Sequence, residues 1–193
     1  MRNKMDRKQE ILEAASKSFS LFGYKATTME QVAKLANVGK GTIYTFFANK
    51  EILLQEIVLK MILEMKAEVE VEIDPTLPFR DNAHRVLMKI LQFREVHQLY
   101  AKLVEEEKEL RTPAVKIMLE RVESEIVSYI AEKFDIAIGK KELRECDSEL
   151  VAYLLYKAYI AFVADWGQTH EKELTEDQIA SLFQNTIFRG LLP

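Results

Sequence analysis

The feature that most constrains this chain is the spacing of its apolar side chains, which recur every three or four residues along nearly its whole length. The first such face consists of Ile11, Ala15, Phe19 and Phe22. This spacing places them on one side of a helix, which ends at Gly23. The 193 residues include only six Gly and four Pro, too few turn residues for a strand-rich fold. We therefore predict an all-α protein of about nine helices.

Helix start and stop signals divide the first 70 residues into three short helices and one long one. Thr27 and Thr28 each precede a Glu or Gln by three residues, which is the capping-box pattern for a helix over about 28–36. Asn37 tolerates the left-handed conformation of a tight turn, so a further helix begins near residue 39 or 40. Asn49 predicts the N-cap of a long helix that reaches about residue 70.

The remaining chain continues as helices with one apolar stripe each. The segment "DPTLP" breaks the pattern, and helical spacing resumes in "FRDNAHRVLMKILQFREVH", in "QLYAKLVEEEKEL" and after Pro113. We interpret the run Glu105–Glu107 as a solvated helix face. The last two helices are predicted over about 148–169 and 175–191. The first of them is apolar nearly all round, so in a water-soluble protein it must be covered on several sides.

Charge is distributed unevenly along the chain. Residues 1–50 carry nine Lys or Arg and four Asp or Glu, a net charge of +5, whereas the rest carries 18 basic and 27 acidic residues, a net charge of −9. This asymmetry favours contact between a polyanion and the N-terminal quarter. Since no stretch is a convincing signal peptide or membrane span, we expect a cytoplasmic protein. The single Cys146, between two acids, is interpreted as an ordinary reduced thiol.

The stretch Gly39-Lys40-Gly41-Thr42 suggests phosphate binding, either to a nucleotide or to DNA. A nucleotide-binding P-loop needs a glycine five positions before Gly39, where this chain has Lys34, and a preceding buried strand, where the pattern is helical. A helix-turn-helix over about 29–48 fits instead, because its second helix would open with a lysine, small residues and hydroxyls. Ile43 and Phe47 are interpreted as core anchors of that helix.

The segment "GYKATTMEQVAKLANVGKGTIYTFFANKEILL" resembles the DNA-binding domain of the tetracycline-repressor (TetR) family, with its "SKGTxYxxF" recognition helix and "xKExL" start of helix four. The resemblance implies a DNA-binding domain over residues 1–50 and a ligand-binding and dimerisation domain over 51–193. It assigns contacts with phosphates or groove edges to a set of residues in which Thr45 would read bases. These residues are Thr28, Lys40, Gly41, Thr42, Tyr44, Thr45 and Lys50. Gly39 replaces the usual serine or threonine cap of the recognition helix.

The same resemblance implies that the last two helices of two protomers form a four-helix bundle and that the body encloses a ligand. A nearly all-apolar penultimate helix independently favours a homodimer. The candidate pocket consists of aromatic or soft side chains on the body helices, for each of which core packing is the commoner role. They are Phe93, His97, Tyr100, Met118, Tyr129, Tyr156, Tyr159, Phe162 and Trp166. Because no basic cluster accompanies them, the effector would be neutral or amphipathic.

These patterns indicate a ligand-responsive repressor that is released from a palindromic double-stranded DNA operator by a small apolar or amphipathic effector. A DNA-binding regulator or scaffold with no effector is the main alternative, and it differs only in what its body contains. An all-helical enzyme would need paired carboxylate and histidine motifs on facing helices, which the sequence lacks. We therefore predict no catalytic activity, no metal site and no cofactor.

Overall fold

The computed structural model describes residues 4–193 and, within them, every side chain except those of residues 94–97 and 168. The described chain consists of helices joined by turns and loops, without a strand. Its first seven helices are α1 Lys4–Phe22, α2 Met29–Leu35, α3 Lys40–Phe46, α4 Lys50–Glu72, α5 Phe79–Leu91, α6 Arg94–Leu110 and α7 Pro113–Gly139. The all-α prediction is confirmed.

Two further helices, α8 and α9, each contain a π-helical turn. Helix α8 runs as Ser148–Ile160, then the π-helical Ala161–Asp165, then Trp166–Thr169. Helix α9 runs as Glu176–Phe183, then the π-helical Gln184–Phe188, then Arg189–Leu191. Together with the seven before them, these make nine helices in the described chain, as the sequence pattern predicts. None of the described helices is both long and apolar enough to cross a bilayer.

The helix boundaries follow from local chemistry at each end. Helix α1 stops at Gly23, whose positive φ of 84° suits a residue without a side chain. Thr28 caps α2 through a full capping box with Gln31. Asn37 takes the predicted left-handed conformation, with φ 52°, in the turn before α3. Asn49 accepts a hydrogen bond from the Ile52 backbone N–H at 2.8 Å and so caps α4.

One predicted continuity is wrong. The sequence pattern runs as a single helical stretch from Phe79 through residue 97, but the structure ends α5 at Leu91 and begins α6 at Arg94. The Gln92 and Phe93 backbone N–H groups bond carbonyls only three residues back, at Lys89 and Ile90. The chain therefore tightens and turns at the end of α5, although the apolar spacing itself continues.

The chain divides into two compact units. One comprises Met1–Met61 with Glu95–Arg121, and the other comprises Ile62–Arg94 with Val122–Pro193. In the second unit, α5, α7, α8 and α9 surround a core that includes Leu87, Phe134, Leu155 and Phe183. The first unit contains α1 to α3, the start of α4 and nearly all of α6. The predicted functional boundary at residue 50 stays a prediction.

Candidate nucleic-acid interface

Helix α3 is anchored by two side chains and presents the rest of its surface outward. Ile43 and Phe47 are both fully buried, which confirms their interpretation as core anchors. The turn that leads into α3 is fixed by a 2.9 Å hydrogen bond from the Val38 N–H to the Ala33 carbonyl. Most of the residues of α3 that are predicted to contact DNA are exposed, and Thr42 is half-buried. The exposed ones are Lys40, Gly41, Tyr44 and Thr45.

Two glycines, Gly39 and Gly41, lie at the start of the recognition helix, and neither covers its backbone with a side chain. Gly39 is the N-cap and contributes no side-chain hydrogen bond, as the sequence predicts. A Cβ added to Gly41 would have no protein atom within 4 Å. The protein's own packing therefore does not require a glycine at position 41. Space of this kind at the start of an exposed helix suits close approach of another backbone.

Lys40 is exposed but already has an anionic partner in the free protein. Its Nζ lies 2.5 Å from Glu30 Oε1, and both side chains are more than half exposed. The hydrogen bond from Lys40 lowers the pKa of Glu30 and raises the pKa of Lys40. Lys40 is thus fully charged at neutral pH. A DNA phosphate must replace or share the Glu30 carboxylate to bind this ammonium group, and exposed ion pairs are weak enough to allow that exchange.

The hydroxyl groups of Thr28 and Thr45 differ in what they can still offer. Thr28 Oγ1 accepts from the Gln31 backbone N–H at 3.2 Å, so its hydroxyl hydrogen can be donated to a phosphate. Thr45 Oγ1 donates to the Thr42 carbonyl at 2.7 Å, so its oxygen can accept from a base and its methyl group can contact thymine. These geometries fit the predicted roles, which themselves stay predictions.

Lys50 binds the chain between α1 and α2. Its Nζ donates to the carbonyls of Tyr24 at 2.7 Å and Thr27 at 2.8 Å, and it lies 3.4 Å from the Lys25 carbonyl. It also lies 4.3 Å from the centre of the Tyr24 ring. Burial lowers the pKa of Lys50, against an opposing effect of Glu106. A phosphate would have to displace one of these bonds, so the phosphate contact predicted for Lys50 stays a prediction.

Glu106 is a site residue that the sequence interpretation missed. Instead of facing solvent with the rest of the glutamate run, its side chain on α6 is buried, so the solvated interpretation is wrong for Glu106. Both carboxylate oxygens accept from the Lys25 backbone N–H, at 3.1 and 3.0 Å. The sequence did carry a signal that Glu106 is buried, which is its helical spacing. Leu103 follows Leu99 by four residues and Glu106 follows Leu103 by three, and both leucines are buried.

The candidate pocket residues fall into both units. Tyr100 and Met118 belong to the first unit. The second unit contains Phe93, Tyr129, Tyr156, Tyr159, Phe162 and Trp166. Within the second unit, Tyr159 and Phe162 pack against the buried core. His97 lies outside the described side chains. The structure therefore places two members of the predicted set, Tyr159 and Phe162, at one core.

Other members of that set have polar partners of their own in the second unit. The Tyr129 hydroxyl donates to Glu70 Oε1 at 2.7 Å, and burial together with this bond raises the pKa of Tyr129. Trp166 Nε1 donates to the Lys172 carbonyl at 2.8 Å. The Trp166 ring stacks on His170 with centroids 3.7 Å apart. These contacts account for the placement of the two rings without a ligand, so the pocket stays a prediction.

Comparison with known proteins agrees with this geometry. The family model of bacterial regulatory proteins of the tetR family matches residues 11–57. YhgD of Bacillus subtilis (strain 168), an uncharacterized HTH-type transcriptional regulator, is 48% identical over 187 residues, which cover 97% of each chain. GusR of Salmonella enterica has the same fold, with a TM-score of 0.81 at 21% identity over 100% of this chain and 98% of its own. The SmeT–triclosan complex has a TM-score of 0.78 at 16% identity, over 97% and 92%.

A helix-turn-helix with an outward-facing second helix, at the start of an otherwise helical chain, defines a DNA-binding transcriptional regulator. The family of this regulator follows from two findings, which are the 48% identity with YhgD over nearly the whole chain and the match to the family model. The chain belongs to the tetR family of bacterial regulatory proteins.

Proposed function

We propose that the protein is a homodimeric repressor that leaves a palindromic operator when a small apolar or amphipathic effector binds. Residues 1–50 would bind DNA, and residues 51–193 would bind the effector and the second protomer. The observation that carries the DNA-binding part is the exposed face of α3, where a lysine, a bare glycine and hydroxyl groups lie together. Phosphate contacts from Thr28 and Lys40 would position this face, and Thr45 would read base edges.

The dimer is supported by apolar side chains that α8 exposes. Leu150 is 65% exposed, Leu154 is 54% exposed, and Tyr153 is 44% exposed. Leu182 on α9 is exposed as well. Leucines at this exposure on two adjacent elements favour a partner surface, and a second copy supplies the same apolar face by two-fold symmetry. Two recognition helices would then enter successive major grooves roughly 34–36 Å apart.

Two observations support the effector class. They are the residue types of the candidate pocket and the complex of a protein with the same fold. The candidate pocket side chains are mostly aromatic, and they suit an apolar or amphipathic molecule better than an anion. The solved structure of SmeT, a protein of the same fold, is a complex with triclosan. Release from DNA would require the effector to bind the DNA-incompetent form more tightly, because equal affinity for both forms shifts nothing.

The experiment has two stages. Selection from random duplexes should yield a palindrome whose half-sites are about one helical turn apart, and sedimentation should show a dimer. Apolar and amphipathic compounds are then titrated against the complex with that palindrome. We expect at least one compound both to bind the protein and to release the duplex. A non-palindromic selected site would contradict the dimeric repressor. If every compound that binds the protein leaves the duplex bound, a regulator without an effector is favoured.

A further inference from the structure

Glu106 is unusual for its burial. Its side chain lies on α6, outside the helix-turn-helix, and is 5% exposed. Among the described residues it is the only buried one that carries a formal charge. A carboxylate is rarely buried unless bonds to the charged form compensate for its lost hydration. Its contacts therefore identify the part of the structure that it serves.

The hydrogen bonds of its carboxylate go to the loop between α1 and α2. The Lys25 backbone N–H is shared by both carboxylate oxygens, at 3.1 and 3.0 Å. The carboxylate also fits against Gly23, because a Cβ added there would lie only 2.7 Å from Glu106 Oε2. Gly23 thus meets two requirements at once, its φ of 84° and the close approach of a side chain 83 positions away in the sequence.

Lys50 from α4 bonds the same loop with the opposite polarity. It donates to the carbonyls of Tyr24 and Thr27, whereas Glu106 accepts the N–H of Lys25 between them. The loop leads directly into Thr28, the N-cap of α2. Because α2 and α3 are joined by a short fixed turn, the position of this loop sets the position of the recognition helix.

We propose that Glu106 is a positioning residue for DNA binding, which fixes the helix-turn-helix to α6 and so makes the placement of α3 depend on α6. The proposal rests on the proposed function, in which two recognition helices must match two half-sites. A shift of α6 either moves the loop with it or breaks the bonds to Lys25. In both cases the recognition helices lose the spacing that a palindrome requires.

The test compares Glu106→Gln and Glu106→Ala with the wild-type protein on two duplexes, the selected palindrome and a single half-site. Gln keeps one acceptor oxygen for the Lys25 N–H, whereas Ala leaves that donor without a partner. We expect the affinity of the Ala variant for the palindrome to fall at least about tenfold, with a smaller fall for Gln. Affinity for the half-site, which needs only one recognition helix, should change less than about threefold. Val115→Ala, a buried truncation in the same unit, serves as the control for general destabilisation.

A second measurement tests the contact itself, even if one variant folds poorly. Gly23→Ala alone should lower the melting temperature through both backbone strain and overlap with Glu106 Oε2. In the Glu106→Ala background the overlap is absent, so the further decrease should be smaller. Equal affinities of wild-type and Glu106 variants for the palindrome, or equal losses on both duplexes, would overturn the positioning role. Failure of the wild-type protein to select a palindrome would instead overturn the proposed function, and the inference with it.

Discussion

Replacing Gly41 with alanine separates stability from DNA binding, because the structure predicts opposite effects on the two. Gly41 is the second residue of α3, it is exposed, and its φ is not positive. The added methyl group would meet no protein atom within 4 Å. Alanine is favoured over glycine in a helix by roughly 0.5–1 kcal/mol. For a chain of this size that gain raises the melting temperature by about 1–4 °C.

The same methyl group should weaken DNA binding, because it would occupy the space into which the sugar-phosphate backbone approaches. Inserting a methyl group into a close contact costs about 1–3 kcal/mol, or roughly 5- to 150-fold in affinity. Fluorescence anisotropy with the selected duplex and thermal unfolding measure the two effects. Gly139→Ala is the matched control, since that helical glycine is equally open and lies at the end of α7. A Gly41→Ala variant that binds the duplex as tightly as wild type would refute the close approach.

Five further predictions concern other residues. Lys40→Ala should weaken binding to all duplexes and reduce the slope of log affinity against log salt by about one unit per half-site, as measured by a salt titration. In the same titration, Lys50→Ala should reduce that slope if Lys50 binds a phosphate, but should lower affinity at unchanged slope if it only holds the loop of Tyr24 to Thr27. Thr45→Ala should change the preferred bases in a repeated duplex selection while leaving the salt slope unchanged. Leu154→Glu should convert the dimer to a monomer in sedimentation, whereas a charge on the exposed Leu21 of α1 should not. Alkylation of Cys146 should require a pH above that for a free cysteine, because burial, and next the adjacent Asp147, raise the pKa of its thiol.

Local signals predicted much of the first 50 residues. The Thr28 capping box, the left-handed Asn37 and the burial of Ile43 and Phe47 each depend on residues within about one helical turn of one another, and each is confirmed. Capping, turn formation and helical spacing are short-range effects, so residue order alone specifies them. The number of helices was predictable for the same reason.

Long-range contacts were not predictable in this way. Glu106 bonds Lys25 across 81 positions, and the Lys50 bonds to Tyr24 and Thr27 span 26 and 23 positions. A charged residue in a run of glutamates is usually solvated, and only its register with Leu99 and Leu103 indicated a buried face. The bonding partner could not be inferred even then, because a backbone N–H has no sequence signature.

The loop bonded by Lys50 and Glu106 bears on how an effector would act. Since Lys50 of α4 donates to this loop and Glu106 of α6 accepts from it, a shift of either helix would move α2 without any change within the helix-turn-helix. The coupling must also be reciprocal, because binding free energies are linked. An effector that weakens palindrome affinity about 100-fold must itself bind about 100-fold more weakly to the DNA complex than to the free protein. Removing Glu106 should therefore reduce both factors together and leave effector binding to the free protein largely intact.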